Sequence, residues 1–286
     1  MLLPLLGANG LANIEACYLG GKSYVPGGTV RVSGNFIYTG TMFIYDTVAD
    51  SWTLSVNYPG LGSSHPAVVC DPASNKVYAI GGLNSSGIGG TNLTRIYDVA
   101  ASTWLTDGAA MPTTRYGADG GLLSDGRIIV AGRRLGGQTY ATNTVEIYDT
   151  QANIWSAAAP LNVVGADSAH GVAVDGRFYV AGSGARVQGG SGEIYSNHIE
   201  AYNPTTNTWT VLSDTLLTGG DVPNTTPGCD NDLCPFNQVY DPSTPAGTLT
   251  AAAGTPTATS TAATSFPLTG TISTPLGTIF DTIVTV

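Results

Sequence analysis

The side chains of this 286-residue chain best suited to chemistry are three histidines, His65, His170 and His198, and the arginines Arg115, Arg133, Arg134 and Arg186. An imidazole transfers protons near neutral pH, and a guanidinium fork holds a carboxylate or an acidic sugar. The sequence contains no His-Glu-x-x-His, Gly-x-Ser-x-Gly or phosphate-binding loop around them. Cys229 and Cys234 stand alone as a Cys-x4-Cys, without the second pair or nearby histidine that zinc needs. We therefore expect no catalytic residue, no metal and no cofactor. The 229/234 pair has the reach for a local disulfide in its Pro- and Asp-rich loop, and Cys17 with Cys70 offers a second; the alternative for each pair is buried thiols. Three Asn-x-Ser/Thr triplets, at Asn84, Asn92 and Asn224, would carry sugar in a secretory pathway able to use them.

The elements that position these residues repeat. Trp52, Trp104, Trp155 and Trp209 recur about fifty residues apart, and each follows a tyrosine by seven residues: Tyr45, Tyr97, Tyr148 and Tyr202. A basic residue opens each copy, Lys22, Lys76, Arg127 or Arg177, and a short run of mainly apolar residues follows, closed by Gly27, Gly81, Gly132 or Gly182. Such runs read as buried strands stopped by a residue free to take positive φ. The tyrosine sits near the end of a second strand, and a polar turn leads to the Trp strand. Each copy thus supplies roughly four antiparallel strands of one small sheet.

A hydrophobic strand ending in a glycine pair, then Tyr, then Trp, resembles the kelch family. The likeness covers residues 11 to 209 and implies an all-β kelch-type β-propeller of four-stranded antiparallel blades. There are four clear repeats, and Val239-Tyr240-Asp241 echoes a degenerate fifth with no Trp behind it. Gly27-Gly28 and Gly81-Gly82 keep the glycine pair, whereas Arg133 and Ser183 replace its second member in copies three and four. Met111-Pro112-Thr113-Thr114-Arg115 carries the Met-Pro-x-x-Arg start seen in many kelch blades. The resemblance places His65 and His170 at nearly equivalent starts of the innermost strand, beside a central channel, and puts the four arginines in loops where propellers present ligands. The plainer expectation is that the histidines satisfy backbone at strand ends and the arginines pair with Asp119, Asp167 and Glu193.

Residues 1–246 read as the propeller and 247–286 as a Thr/Ala/Pro-rich linker with a C-terminal β extension. Its last run, Gly277 to Val286, is strongly β-forming. It is expected to pair, closing the ring or joining a neighbouring subunit; the competing reading is the first strand of a following domain. Charged residues are 10% of the chain, and ten basic against twenty acidic residues give a net charge of −10. That balance disfavours nucleic acid, and no stretch is long enough for a transmembrane helix. We expect an extracellular or cell-surface protein, without catalysis, that binds copies of itself, other extracellular proteins or glycans. The family also implies two enzymatic alternatives. A copper-radical oxidase needs His, Tyr and cross-linked Cys ligands that this sequence does not assemble; a sialic acid mutarotase-like enzyme, or a sugar-binding adhesin, stays open as the second reading.

Overall fold

Strands make up every helix-or-strand element among the described residues, and they come in groups of four, as the recurring basic, Tyr and Trp positions require. The computed structural model describes residues 11–32, 35–58, 62–84, 89–132, 134–135, 142–162, 170–186, 193–213, 238–240 and 249–251. The chain divides into two units, Met1–Ala252 and Ala253–Val286, and all described residues belong to the first.

In the first blade β1 (Cys17–Leu19) and β2 (Lys22–Pro26) are followed by a hairpin of β3 (Thr29–Val32) and β4 (Asn35–Tyr38), then by β5 (Thr41–Asp46) and β6 (Ser51–Asn57). The sheet order is β1-β2-β5-β6. The second blade begins with β7 (Ser63–Ser64), β8 (Ala67–Asp71), β9 (Lys76–Ile80) and β10 (Leu83–Asn84), and ends with β11 (Thr94–Asp98) and β12 (Thr103–Trp104). Here β8-β9-β11-β12 form the sheet, while β7 and β10 make a small ladder beside it. The third repeats this plan with β13 (Arg115–Tyr116), β14 (Asp119–Leu122), β15 (Ile128–Ala131), β16 (Arg134–Leu135), β17 (Val145–Asp149) and β18 (Ile154–Ala158). Its sheet is β14-β15-β17-β18, with β13 paired to β16. The fourth is β19 (His170–Val174), β20 (Arg177–Arg186), β21 (Glu193–Asn203) and β22 (Thr208–Ser213), in that order. The first strands of the blades lie side by side, β8 against both β1 and β14, and β14 against β19. This is the fanned arrangement of a propeller.

The Tyr-Trp spacing has a direct cause in the register. Tyr45, Tyr97, Tyr148 and Tyr202 stand across the ladder from Trp52, Trp104, Trp155 and Trp209, with ring centroids 5.0 to 5.2 Å apart. The turn between them is an Asx turn. Asp46 Oδ1 accepts from the N–H groups of Val48 and Ala49, and Asp149 Oδ1 does the same for Gln151 and Ala152. A left-handed residue closes it, Asp50, Ser102, Asn153 or Asn207, with φ between 47 and 56°. Tyr240 of β23 (Gln238–Tyr240) pairs with Leu249 of β24 (Leu249–Ala251). Leu249 therefore takes the Trp place of the fifth unit, at the end of a turn two residues longer.

The glycine pair works where the sequence keeps it. Gly81 has φ +67°, and a Cβ there would lie 2.6 Å from Arg115 O; Gly82, at φ +100°, would drive one into Ser63 Oγ. The expected stop at Gly182 is not found. Where Ser183 replaces the second glycine, β20 and β21 continue past a bulge at Ala181/Ser183 until Arg186 faces Glu193. There the backbone stays in the ladder and takes the extra residue as a bulge, whereas in the third blade, with Arg133 in the second glycine's place, β15 still stops ahead of Gly132 at φ +67°.

Apolar side chains collect between blades rather than at one centre. Tyr24, Met42, Val77, Tyr97 and Trp104 join the first two blades, and Ala67, Val69, Ile128 and Tyr148 join the next two. Ile129, Ile147, Phe178 and Trp209 join the last two. Phe178 fills a slot made by Gly121 and Gly171, where a Cβ on Gly121 would lie 2.7 Å from Phe178 Cδ2 and 2.8 Å from Ala173 Cβ. Gly121→Ala is therefore expected to cost about 1–3 kcal/mol through overpacking, read as a lowered thermal midpoint. An unchanged midpoint would mean that the blades yield to admit the methyl. Indole N–H groups add polar ties: Trp104 donates to Val56 O, Trp155 to Ala109 O and Trp209 to Ala159 O.

Candidate functional site

One residue of each of the first three blades stands in left-handed conformation just ahead of the innermost strand: Asn13 (φ 58°), His65 (φ 53°) and Gly117 (φ 66°). Their backbones run on from one blade to the next, His65 N–H donating to Asn13 O at 2.9 Å and Gly117 N–H to His65 O at 2.7 Å. The His65 ring lies 3.0 Å from Ser64 Oγ through Nδ1 and 6.3 Å edge-on from the Tyr116 ring. Asn13 Nδ2 reaches Thr29 Oγ1 at 3.4 Å. Ser64 is fully buried, so its hydroxyl serves the His65 ring and is out of a ligand's reach.

The expected equivalence of the two histidines fails by two residues. His65 precedes its strand, whereas His170 is the first residue of β19 and pairs with Ala181, in register with Ala67 and Asp119.

Arg115 is buried completely, and its carboxylate partner among the described residues is Glu146, not the expected Asp119; Asp167 lies outside the described residues. Nη2 pairs with Glu146 Oε2, and Nη1 donates to Thr144 O at 2.7 Å and Gly132 O at 3.3 Å. Thr113 Oγ1 donates to the same carboxylate oxygen at 2.7 Å. Burial pulls the guanidinium below its usual range while Glu146 pushes it back up, and an arginine stays cationic throughout. A dissolved anion therefore has no access to it. Arg134 stands across from Tyr116 in the β13/β16 ladder, and Arg186 across from Glu193. Arg133, Cys229, Cys234, Asn224 and the Gly277 to Val286 run lie outside the described residues. Among the described residues no three of His, Cys, Asp or Glu converge on one point, and no helix is long and apolar enough to cross a membrane.

The sequence reading missed Glu146. Its signal was the position two before the repeat tyrosine, which holds Phe43 in the first copy but Arg95, Glu146 and Glu200 in the others, all three charged residues buried. Arg95 lies over the Tyr58 ring at 4.5 Å, and Glu200 accepts from Asn162 N–H at 2.9 Å. The sequon asparagine Asn92 also has an internal task. Its Nδ2 donates to Met111 O, as Asn143 Nδ2 does to Leu161 O one blade later, and Thr94 is buried with its hydroxyl on Ala109 O. Asn84 sits on β10 and is only partly buried.

Cys17 and Cys70 form a disulfide between β1 and β8, with Cα atoms 5.5 Å apart. The two faces at the ends of the array differ from those inside. On the Trp52 side of the first blade, Leu54 of β6 is 42% exposed and Tyr18 of β1 is 59% exposed, whereas Val25 and Phe43, in line with Leu54, are buried. On β19, Val172 and Val174 are 45% and 41% exposed. Val172 is the counterpart of Cys17 and Val69, which face the following blade.

The Kelch motif family matches residues 168–215, the fourth blade. The solved structure of YjhT is similar at 15% sequence identity, covering 73% of this chain and 72% of that one, with a TM-score of 0.60. No curated protein matches the chain by sequence. With the motif matched in its fourth blade and the same plan carried through the other three, the chain has the fold of a kelch-type β-propeller.

Proposed function

We propose that the chain is a non-catalytic structural propeller of the cell exterior, associating with copies of itself through the two end faces of its blade array. The carrying observation is the exposure of Tyr18 and Leu54 on the first blade, on the face at which the second, third and fourth blades each receive a packed neighbour and on which Val25 and Phe43 are already buried. Apolar side chains left on a sheet face call for a partner, and one with a different patch on the opposite end meets it head to tail. The Cys17–Cys70 bond supports an oxidising location, since such bonds persist outside the reducing cytosol. The sparse charge, 10% of residues, suits large protein contacts.

Sedimentation velocity over a concentration series is the test. The weighted mass is expected to rise above the monomer as concentration increases, and elongated particles to appear by negative-stain microscopy. A single monomeric species across the series would overturn the reading.

A further inference from the structure

Two buried hydroxyls at the start of the second blade stand in a slot that the third blade fills with its buried ion pair. Ser63 pairs with Asn84 as Arg115 pairs with Leu135, Tyr58 N–H donates to Gly40 O as Met111 N–H does to Asn92 O, and Arg95 faces Ala79 as Glu146 faces Val130. Tyr58, Ser63 and Arg95 therefore hold the places of Met111, Arg115 and Glu146, and they are 4%, 1% and 5% exposed. The chemistry of the slot has changed sign. Where the third blade sets a strand carboxylate against a guanidinium, the second has a strand guanidinium and a hydroxyl in the place across from it.

Ser63 Oγ and Tyr58 Oη have no hydrogen-bond partner among the described residues. A buried hydroxyl left so is costly, and each calls for an acceptor. Glycines form a cradle around both: a Cβ on Gly27 would lie 3.0 Å from Tyr58 Oη and 2.3 Å from Ser63 O, and one on Gly82 would lie 2.3 Å from Ser63 Oγ. The guanidinium carbon of Arg95 is 4.5 Å from the centre of the Tyr58 ring. Burial pushes the Tyr58 hydroxyl above its usual range while Arg95 pulls it back, so the group stays protonated and donates.

The donor set selects the ligand. Tyr58, Ser63 and Arg95 all bring hydrogens, and O–H groups beside a guanidinium suit an acceptor that carries negative charge. Arg95 makes further contacts of its own and lends the site its field. All three residues are covered, which bars a bulky ligand and admits a small ion. We propose that the second blade binds a monovalent anion of chloride's size, which accepts from Tyr58 Oη and Ser63 Oγ next to Arg95. Tyr58 belongs to the link leaving the first blade, and Ser63 and Arg95 belong to the second, so the ion ties the two together. The site goes beyond self-association and does not depend on it.

Thermal unfolding at fixed ionic strength and fixed protein concentration tests it, with sodium gluconate replaced stepwise by sodium chloride. The midpoint is expected to rise by about 3–5 °C once chloride is tenfold above its dissociation constant. Tyr58→Phe and Ser63→Ala each remove one donor and little else, and each is expected to raise the chloride concentration needed for that rise about tenfold. In crystals of the unaltered protein soaked in bromide, an anomalous peak is expected beside Tyr58 Oη. A midpoint that ignores chloride overturns the proposal and leaves the two hydroxyls to water. The same chloride response in all three proteins, or a bromide peak only elsewhere, puts the anion at another site and likewise overturns it. If one variant fails to fold, the other variant and the bromide map still decide.

Discussion

Glu146→Ala is expected to lower the stability of the propeller by about 3–5 kcal/mol, because it strands the Arg115 guanidinium in a fully buried site. Among the described residues the carboxylate is the one ionic partner of Arg115; Thr144 O and Gly132 O are neutral acceptors that cannot balance the charge. The same removal leaves the Thr113 hydroxyl without its acceptor. The pair is a condition of the fold, and its worth appears only when it is broken. Arg115→Met with Glu146→Leu should therefore recover much of the loss, though not all, since two carbonyls remain without their donor. The exposed pair of Arg127 with Asp125, at 2.6 Å, sets the scale: Arg127→Ala is expected to cost about 1 kcal/mol or less. Urea midpoints of the four proteins decide it. Equal losses at the buried and exposed pairs would show that water reaches Arg115 and that its burial is not what the structure gives.

What could be read from the sequence divides along a physical line. Tyr-Trp spacing, the Asx turns and the glycine pairs are local, set by a hairpin register within about ten residues, and the first four repeats and their strands followed from them. The Arg115 partner was not local. Glu146 lies 31 residues on, and only the packing of β13 and its loop against β17 brings the two together. The carboxylate's position opposite Phe43 and Arg95 in the alignment was visible, but nothing along the chain says which way that side chain points. His65 and His170, nearly equivalent along the sequence, stand two residues apart in register, an offset that only the pairing of the inner strands reveals. The sequon at Asn92 was a motif match that blade architecture explains in another way, since Asn143 does the same job without a sequon.

The cysteines show how a one-residue difference carries information. Cys17 precedes Lys22 by five residues and Cys70 precedes Lys76 by six. Successive side chains of a strand point to opposite faces, so that offset turns Cys17 toward the second blade and Cys70 toward the first. Equal offsets would have pointed both the same way and left them unable to meet. The bond ties the innermost strands of the first two blades across 53 residues of chain. By the chain-entropy account, closing a loop of that length contributes about 4 kcal/mol. The double variant Cys17→Ala with Cys70→Ala is expected to lose about that much in a urea titration. It is a cleaner comparison than a reductant, whose action is not confined to this bond. The loss should fall unevenly. The first blade is otherwise held to the second by the Tyr24, Val77 and Tyr97 cluster and by the Trp104 bond to Val56 O, and it has no described blade on its other side. Limited proteolysis of the variant should therefore cut first at the exposed turn around Val48, before any site in the third or fourth blade. A variant with the parental midpoint and the parental cleavage pattern would show that the core between the blades holds the first blade without the covalent tie.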